Sequence, residues 1–205
     1  MHPINKSSPS QFVAVASIAS ELSAVMEVAK EISLAAANAK AIAFRAGEKA
    51  RGFQPITDFI NELAKETIEL INDFNGHALT FYKLTVSEHR IGDAYKRLEL
   101  SSKLAQGAQY SHSLQASLDS SKIKMQDCRR QFKGHVMKLL DQLETVMHPA
   151  RAARVIAANS RIEASQAGEY LQSLQAVAES VDNAAQVIHD NVQRCRSLLS
   201  VVVTV

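Results

Sequence analysis

The chain has 205 residues, of which 46% are hydrophobic and 21% are charged, so it can bury a sizeable core and is not predicted to be disordered. It has no Trp, 7 Gly and 4 Pro, which is too few turn residues for a sheet protein and is typical of long helices. The formal net charge of +2 is too small to indicate a nucleic acid or an anionic membrane as the partner.

Targeting signals and cysteine usage indicate the compartment. No apolar run approaches the ~20 residues of a membrane helix, and the segment from Met1 to Ser10 lacks the apolar core of a signal peptide. Cys128 and Cys195 form neither a disulfide framework nor a metal-ligand spacing with histidine. We therefore expect a cytoplasmic protein without a metal or another cofactor.

The first helix is predicted to begin at Ser8, a good N-cap residue, with Pro9 at the first helical position. Residues 1–8 are predicted to be disordered, and residues 9–205 to form a single domain. From Val15 to Ala46, apolar residues recur at alternating steps of three and four, which is the seam of a coiled coil. The seam residues shrink to Ala towards its end, so neighbouring helices must approach closely there.

A turn and a second helix follow. Gly47 and Gly52 bracket a short charged stretch that is predicted to join the two helices. The seam resumes at Ile56 and continues to Leu98. Its pattern then fails near Gly107, where we place the next turn between helices.

Two further helices are predicted after that turn. The seam of helix three covers residues 132–167, and that of helix four covers residues 177–202. Pro149 lies inside helix three, where it removes a backbone hydrogen bond, so we expect a kink or a break near residue 148. Gly76 is a weaker candidate for the same effect in helix two.

An internal repeat relates the two halves of the chain. A shift of 121 residues places Ala46-Gly47-Glu48 on Ala167-Gly168-Glu169 and aligns the seams in one heptad phase. We infer duplication of a helical hairpin, with copies at about residues 9–107 and 108–205. The midpoint of the two Gly-Glu turns falls at Gly107. The predicted fold is therefore an all-α, elongated antiparallel four-helix bundle with both turns at one end.

The four predicted helices differ in length. Helices one and four should be under about 40 residues long, and the middle pair could run about 30 Å further. We expect this overhang to form a homodimer, to bind another partner, or to fold back at Gly76 or Gly92. Cys128 and Cys195 would differ by roughly 20 Å in level along the bundle, so two separate buried thiols are predicted.

The first hairpin tip resembles a known family. Residues 38–53 read Asn-Ala-Lys-Ala-Ile-Ala-Phe-Arg-Ala-Gly-Glu-Lys-Ala-Arg-Gly-Phe. This segment resembles the hairpin tip of methyl-accepting chemotaxis proteins, whose pattern is N-A-A-x-E-A-A-R-A-G-E-x-G-R-G-F, and residues 159–169 resemble it more loosely. In that family two chains each supply one hairpin, and the tip of the resulting four-helix bundle binds the histidine kinase CheA and the coupling protein CheW.

The resemblance implies a non-catalytic signalling or adaptor protein whose tips bind such partners, with both hairpins supplied by one chain. The sequence departs from the family pattern at Ile42, where the family has Glu, at Ala50, where it has Gly, and at Gln166, where it has Arg. The candidate partner-binding residues are Asn38, Arg45, Glu48, Arg51, Phe53, Asn159, Ile162, Glu163 and Glu169.

Structural roles are also open for the same positions. Glu48 and Glu169 lie at turns into new helices, where free N–H groups favour an anion, so capping is an alternative role for both. Arg45 and Arg51 could pair with these carboxylates. Exposed apolar residues near a tip, such as Ile162, more often pack against a neighbouring helix than mark a binding site.

Two other functions stay open. Asp182 and Gln186 are one helical turn apart, which resembles the acidic residue and Gln of helical-hairpin phosphatases that act on response regulators. No nucleophile, base or phosphate cradle accompanies this pair. The second alternative is a degenerate structural scaffold without partner binding.

Two polar groups of residues have structural interpretations. His77 and Glu88 occupy seam positions in helix two, where a polar layer that fixes the register is the usual explanation. A basic window at residues 122–138 is interpreted as a solvated helix face, because no aromatic residues interleave it as in a nucleic-acid site.

Overall fold

The computed structural model describes residues 7–109 and 112–203, with side chains for all of these except 7–12, 15 and 201–203. Four α-helices make up most of this part of the chain: α1 (Ser7–Ala46), α2 (Phe53–Leu104), α3 (Ser113–Ala164) and α4 (Leu171–Val203). The first helix thus begins one residue before the predicted cap. Residues 1–6, predicted to be disordered, and the side chains of the seam residues Val15 and Val202 lie outside the described part.

The helices form a closed ring in which each packs against two neighbours. α1 contacts α2 and α4, and α3 contacts the same two helices from the opposite corner. Because short turns connect successive helices, the arrangement is an up-down-up-down bundle around one hydrophobic core. The predicted all-α antiparallel four-helix bundle is confirmed.

All three predicted turns lie where the sequence indicated them. Short 3₁₀ segments at Gly47–Ala50 and Gly168–Tyr170 connect the helices of each hairpin, and Gly47 and Gly168 adopt φ angles of +57° and +58°. This left-handed conformation costs an L-residue about 1–2 kcal/mol, which explains the glycine in both copies. Gly107, with φ of +90°, lies in the turn between α2 and α3.

The duplication is visible in the core. Eight positions of α1, from Ile18 to Ala43, are buried, and the eight positions 121 residues later in α3, from Leu139 to Ala164, are buried too. Seven positions of α2 and their seven counterparts in α4 show the same correspondence. These are Phe53, Thr57, Ile60, Ala64, Thr67, Ile71 and Phe74, and Leu174, Ala178, Val181, Ala185, Ile188, Val192 and Cys195.

At alternate positions of α2, and at two positions of α4, the buried residue is the one that follows the predicted seam residue. Ile56, Leu63 and Leu70 pack only partly buried at the edge of the core, and the buried positions are Thr57, Ala64 and Ile71. In α4, Ala185 and Leu199 are buried in place of the predicted Ala184 and Leu198, whereas the predicted Val177 and Asn191 are buried. Small side chains fit near the bundle axis, and Thr57 is tolerated because its hydroxyl donates to the Gln54 carbonyl at 2.7 Å.

Neither of the expected helix interruptions divides a helix. α3 continues through Pro149, whose ring is buried in the core together with Met147, so of the expected kink or break near residue 148 the break is wrong. α2 likewise runs through Gly76 and Gly92 as one helix of 52 residues. The overhang therefore does not fold back on the bundle.

The two cysteines are separate buried thiols, as predicted. The Sγ atom of Cys195 lies 3.9 Å from the Ile18 carbonyl oxygen, and burial raises the pKa of this thiol to about 12. Burial and the nearby Glu88 carboxylate also raise the pKa of Cys128. Across residues 7–109 and 112–203, we find no helix with both the length and the apolar character needed to cross a membrane.

Candidate functional site

The two Gly-Glu turns lie side by side at one end of the bundle. The Lys49 Nζ atom in the first turn is 3.7 Å from the Glu169 Oε1 atom in the second. The Glu163 carboxyl group lies so close to Gly52 that a Cβ atom there would clash with it. One chain thus brings both hairpin tips together, which the repeat geometry predicted.

Buried side chains support this end from inside. Phe53 is fully buried, and so is Leu174, its counterpart in the second hairpin. Phe53 therefore belongs to the core and does not reach the surface, so it must be removed from the candidate contact residues. Ala50 is also buried, which allows the first turn to pack closely on the bundle.

The charged side chains of the first turn are exposed. The Arg51 Nη1 atom is 3.4 Å from Glu48 Oε2, and both side chains are more than three-quarters exposed, so this pair contributes little to stability. Glu169 pairs with Lys49 instead of an arginine. Arg45, also expected to pair, forms no ion pair within the described part of the chain.

Glu48 and Glu169 occupy equivalent positions at the starts of the two 3₁₀ segments. The residues that precede these segments, Ala46 and Ala167, have no side chain that could form a capping hydrogen bond. The two carboxylates can therefore complement the free N–H groups only through their charge.

Two large apolar side chains are exposed near the tips. Ile162 is 62% exposed and Phe44 is 81% exposed. Ile42, by contrast, is half-buried and packs against the core. Sequence reasoning missed Phe44, although its position one residue after the buried Ala43 signals that it lies off the core face.

The remaining candidates lie further from the turns. Asn38 and Asn159 are exposed at equivalent places on α1 and α3, nine residues and roughly 13 Å before the turn glycines. Glu163 is half-buried against Gly52. These three residues lie on the sides of the bundle or between the hairpins.

We call the exposed side chains at this end of the bundle the tip surface. It combines three cationic, two anionic and two apolar residues, namely Phe44, Arg45, Glu48, Lys49, Arg51, Ile162 and Glu169. Phe and Arg are enriched in protein interfaces relative to the rest of the surface, whereas Lys and Glu are depleted. No pattern in the sequence indicates Lys49, which stands at a variable position of the resembled pattern and gains its partner only through the pairing of the hairpins.

The Asp182 and Gln186 side chains are engaged elsewhere. Asp182 accepts from Arg161 at 2.7 Å and lies 3.6 Å from the Arg154 Nε atom. Gln186 donates to the Asp190 Oδ1 atom at 2.8 Å. Both residues of the phosphatase-like pair thus take part in polar contacts on the outside of α3 and α4.

The other polar groups behave as structural features. Glu88 pairs with Arg129 at 3.4 Å, which links α2 to α3 at a seam position. In the basic window, Arg130 pairs with Asp127 at 2.7 Å, and the lysines are exposed along α3. This arrangement agrees with a solvated helix face.

The chain matches no family model, no curated protein and no solved structure. The tip surface and the resemblance of residues 38–53 are therefore the features that bear on function.

Proposed function

We propose that the chain is a non-catalytic, cytoplasmic signalling or adaptor protein whose tip surface binds a chemotaxis-type partner, the coupling protein or its histidine kinase. The observation that carries the proposal is the pairing of two Gly-Glu turns from one chain, bridged by Lys49 and Glu169 at 3.7 Å. This pairing brings two hairpin tips together in one chain, whereas the resembled receptors supply them from two chains.

The apolar part of the tip surface supports protein binding. Exposed Ile162 and Phe44 would lose water-accessible area under a partner, and burial of apolar area favours association. The helices beneath them are held by the bundle core, so little ordering of the backbone is needed on binding.

The charges of the tip surface indicate which charged groups the partner should carry. Glu48 and Glu169 already have cationic neighbours, whereas Arg45 forms no ion pair with any described residue. Arg45 is therefore free to meet a carboxylate of the partner. Exposed charges of this kind chiefly accelerate association and select the partner.

The proposal is tested by titrating the purified coupling protein, and separately the kinase, into the full chain in a calorimeter. Ile162→Glu should weaken binding by about tenfold or more, because it places a charge at an apolar contact. Glu48→Lys and Glu169→Lys should weaken it as well. The matched control is Ile123→Glu, since Ile123 is 60% exposed on the same helix but far from the tips.

Circular dichroism of each variant checks that the helices are retained. Equal affinity of the Ile162 and Ile123 variants would show that the tip surface is not the docking site. Failure of the wild-type chain to bind either partner would remove the chemotaxis assignment.

A further inference from the structure

The middle helices extend well beyond the outer ones at the end opposite the tips. Ser33 donates to Asn61 at 2.8 Å and Lys40 pairs with Asp58 at 2.6 Å, so residues of α1 and α2 at one level have numbers that add to about 96. The start of α1 at Ser7 is therefore level with about residue 89 of α2, which continues to Leu104.

α4 is shorter still. Its Arg194 Nε atom donates to Glu21 Oε2 at 2.9 Å, and Cys195 lies next to Ile18, so the end of α4 is level with about residue 11 of α1. Between this level and the start of α1, only α1 accompanies α2 and α3, and further out the described part of the chain contains α2 and α3 alone. We call residues 86–104 and 113–127 the helix-pair extension.

Burial agrees that no other described part of the chain covers the extension. The last buried residue of α2 is Thr85 and the first buried residue of α3 is Cys128. Within the extension no described residue is buried, and the apolar residues on its inner side are half-buried. These are Ile91, Tyr95, Leu98, Leu114, Leu118 and Met125.

The inner side of the extension continues the bundle core. The spacing that buries Phe74 and Phe81 reaches Glu88 and Tyr95 in the same phase, with Ile91 and Leu98 at flanking positions. Since α1 and α4 cover this phase in the bundle, the extension leaves an open face in line with them. Two further helices are needed to complete the four-helix packing there.

We propose that a second copy of this chain fills that face, its own helix-pair extension packing antiparallel to the first in a twofold-symmetric dimer. A twofold arrangement provides two helices of matching length to each copy. In this dimer, the extension of each copy lies where α1 and α4 of the other copy would lie if they were longer. The hydrophobic core is then continuous across both molecules.

The charges of the extension permit such self-association. Residues 86–104 carry three acidic and four basic residues, and residues 113–127 carry two of each, so the formal charge is +1 per copy. Two copies therefore meet without strong repulsion.

The area available sets the expected strength. Two helices are about 20 Å wide, and 15 to 19 residues are about 22–28 Å long, which gives a footprint of roughly 500 Å² per copy. The total of about 1,000 Å² lies at the lower end of specific interfaces. A reversible dimer is therefore expected.

Sedimentation equilibrium of the full chain from about 1 to 200 μM tests the proposal. The weight-average mass should rise from 22.4 kDa towards about twice that value. Leu98→Lys, on the open face, should hold the mass at that of the monomer. Leu100→Lys is the matched control, because Leu100 is 59% exposed two residues away on the opposite side of α2, and it should dimerise like the wild type.

Leu118→Lys, on α3, gives a second test of the same face, and circular dichroism verifies the helices of all three variants. A wild-type chain that stays monomeric at 200 μM overturns the proposal. So does loss of the dimer in the Leu100 variant, or its retention in the Leu98 and Leu118 variants. None of these substitutions touches the tip surface, so the result is independent of partner binding there.

Discussion

Glu144 shows how single residues connect the two helices of the second hairpin. Arg151 of the same helix donates to its Oε1 atom at 3.0 Å, and Arg196 of α4 donates to its other oxygen. The hydrogen bond from Arg151 and the positive charge of both arginines lower the pKa of the Glu144 carboxyl group, while desolvation partly opposes them. The charged form is thus favoured in the folded chain.

This shift predicts a pH-dependent contribution to stability. A carboxyl group with a lowered pKa in the folded state stabilises the fold above its ordinary pKa of about 4.3 and loses that contribution as the pH falls through the folded value. Glu144→Gln should therefore lower the melting temperature at pH 7, and the difference from wild type should shrink at about pH 3.

Thermal unfolding followed by circular dichroism at the two pH values measures this difference. Glu27→Gln is a suitable control, because Glu27 is exposed and pairs only with Lys30 within α1, so it should change the melting temperature little. A Glu144→Gln difference of the same size at both pH values would contradict the assignment.

The turn after α1 requires glycine at position 47 because of its backbone conformation and not because of limited space. A Cβ atom on Gly47 would meet no atom within 4 Å, but its φ of +57° is unfavourable for an L-residue. Gly47→Ala should therefore lower the free energy of unfolding by about 1–2 kcal/mol.

Gly134 gives the matched comparison for this substitution. It lies inside α3, where a Cβ atom would also meet nothing within 4 Å. Gly134→Ala should raise the free energy of unfolding by up to about 1 kcal/mol, because alanine has the higher helix propensity. Urea unfolding of both variants measures the two effects, and the same sign for both would refute the role of the left-handed turn.

The buried positions of the helices could be predicted from the sequence in α1 and α3 but only in part in α2. The repeated cores of α1 and α3 follow from spacing, since the buried positions from Ile18 to Ala43 and from Leu139 to Ala164 carry small or apolar residues at alternating steps of four and three. In α2, pairs such as Leu63-Ala64 and Leu70-Ile71 offer two apolar residues for one position. Spacing favours the larger residue of the first pair, whereas the approach of four helices to a common axis selects the smaller one.

The location of the candidate site could be predicted from the sequence, but the contacts within it could not. Glycine and the repeat spacing place both turns at one end, because these features depend on local conformation and helix length. The contact of Lys49 with Glu169 depends on how the hairpins rotate against each other, which no local pattern encodes. The burial of Phe53 also follows from this packing, and the resemblance alone suggested a surface role.

For the whole molecule, burial predicts an uneven distribution of stability. The four-helix part contains every buried residue of the described chain, whereas the helix-pair extension contains none. Local opening should therefore require less free energy in the extension. In hydrogen-exchange mass spectrometry at about 1 μM, amides of residues 89–104 should exchange at least tenfold faster than those of residues 60–85, which belong to the same helix. Uniform protection along α2 would contradict this prediction.

The turn at Gly107 joins the two hairpins, so their tips need not be identical. Because both belong to one polypeptide, each can accumulate substitutions that the other does not share, as Arg45 and its repeat counterpart Gln166 illustrate. A receptor built from identical chains offers two equivalent sides to its ligand. Here the sides are chemically distinct, so the binding that we propose at the tip surface would favour one orientation of the partner.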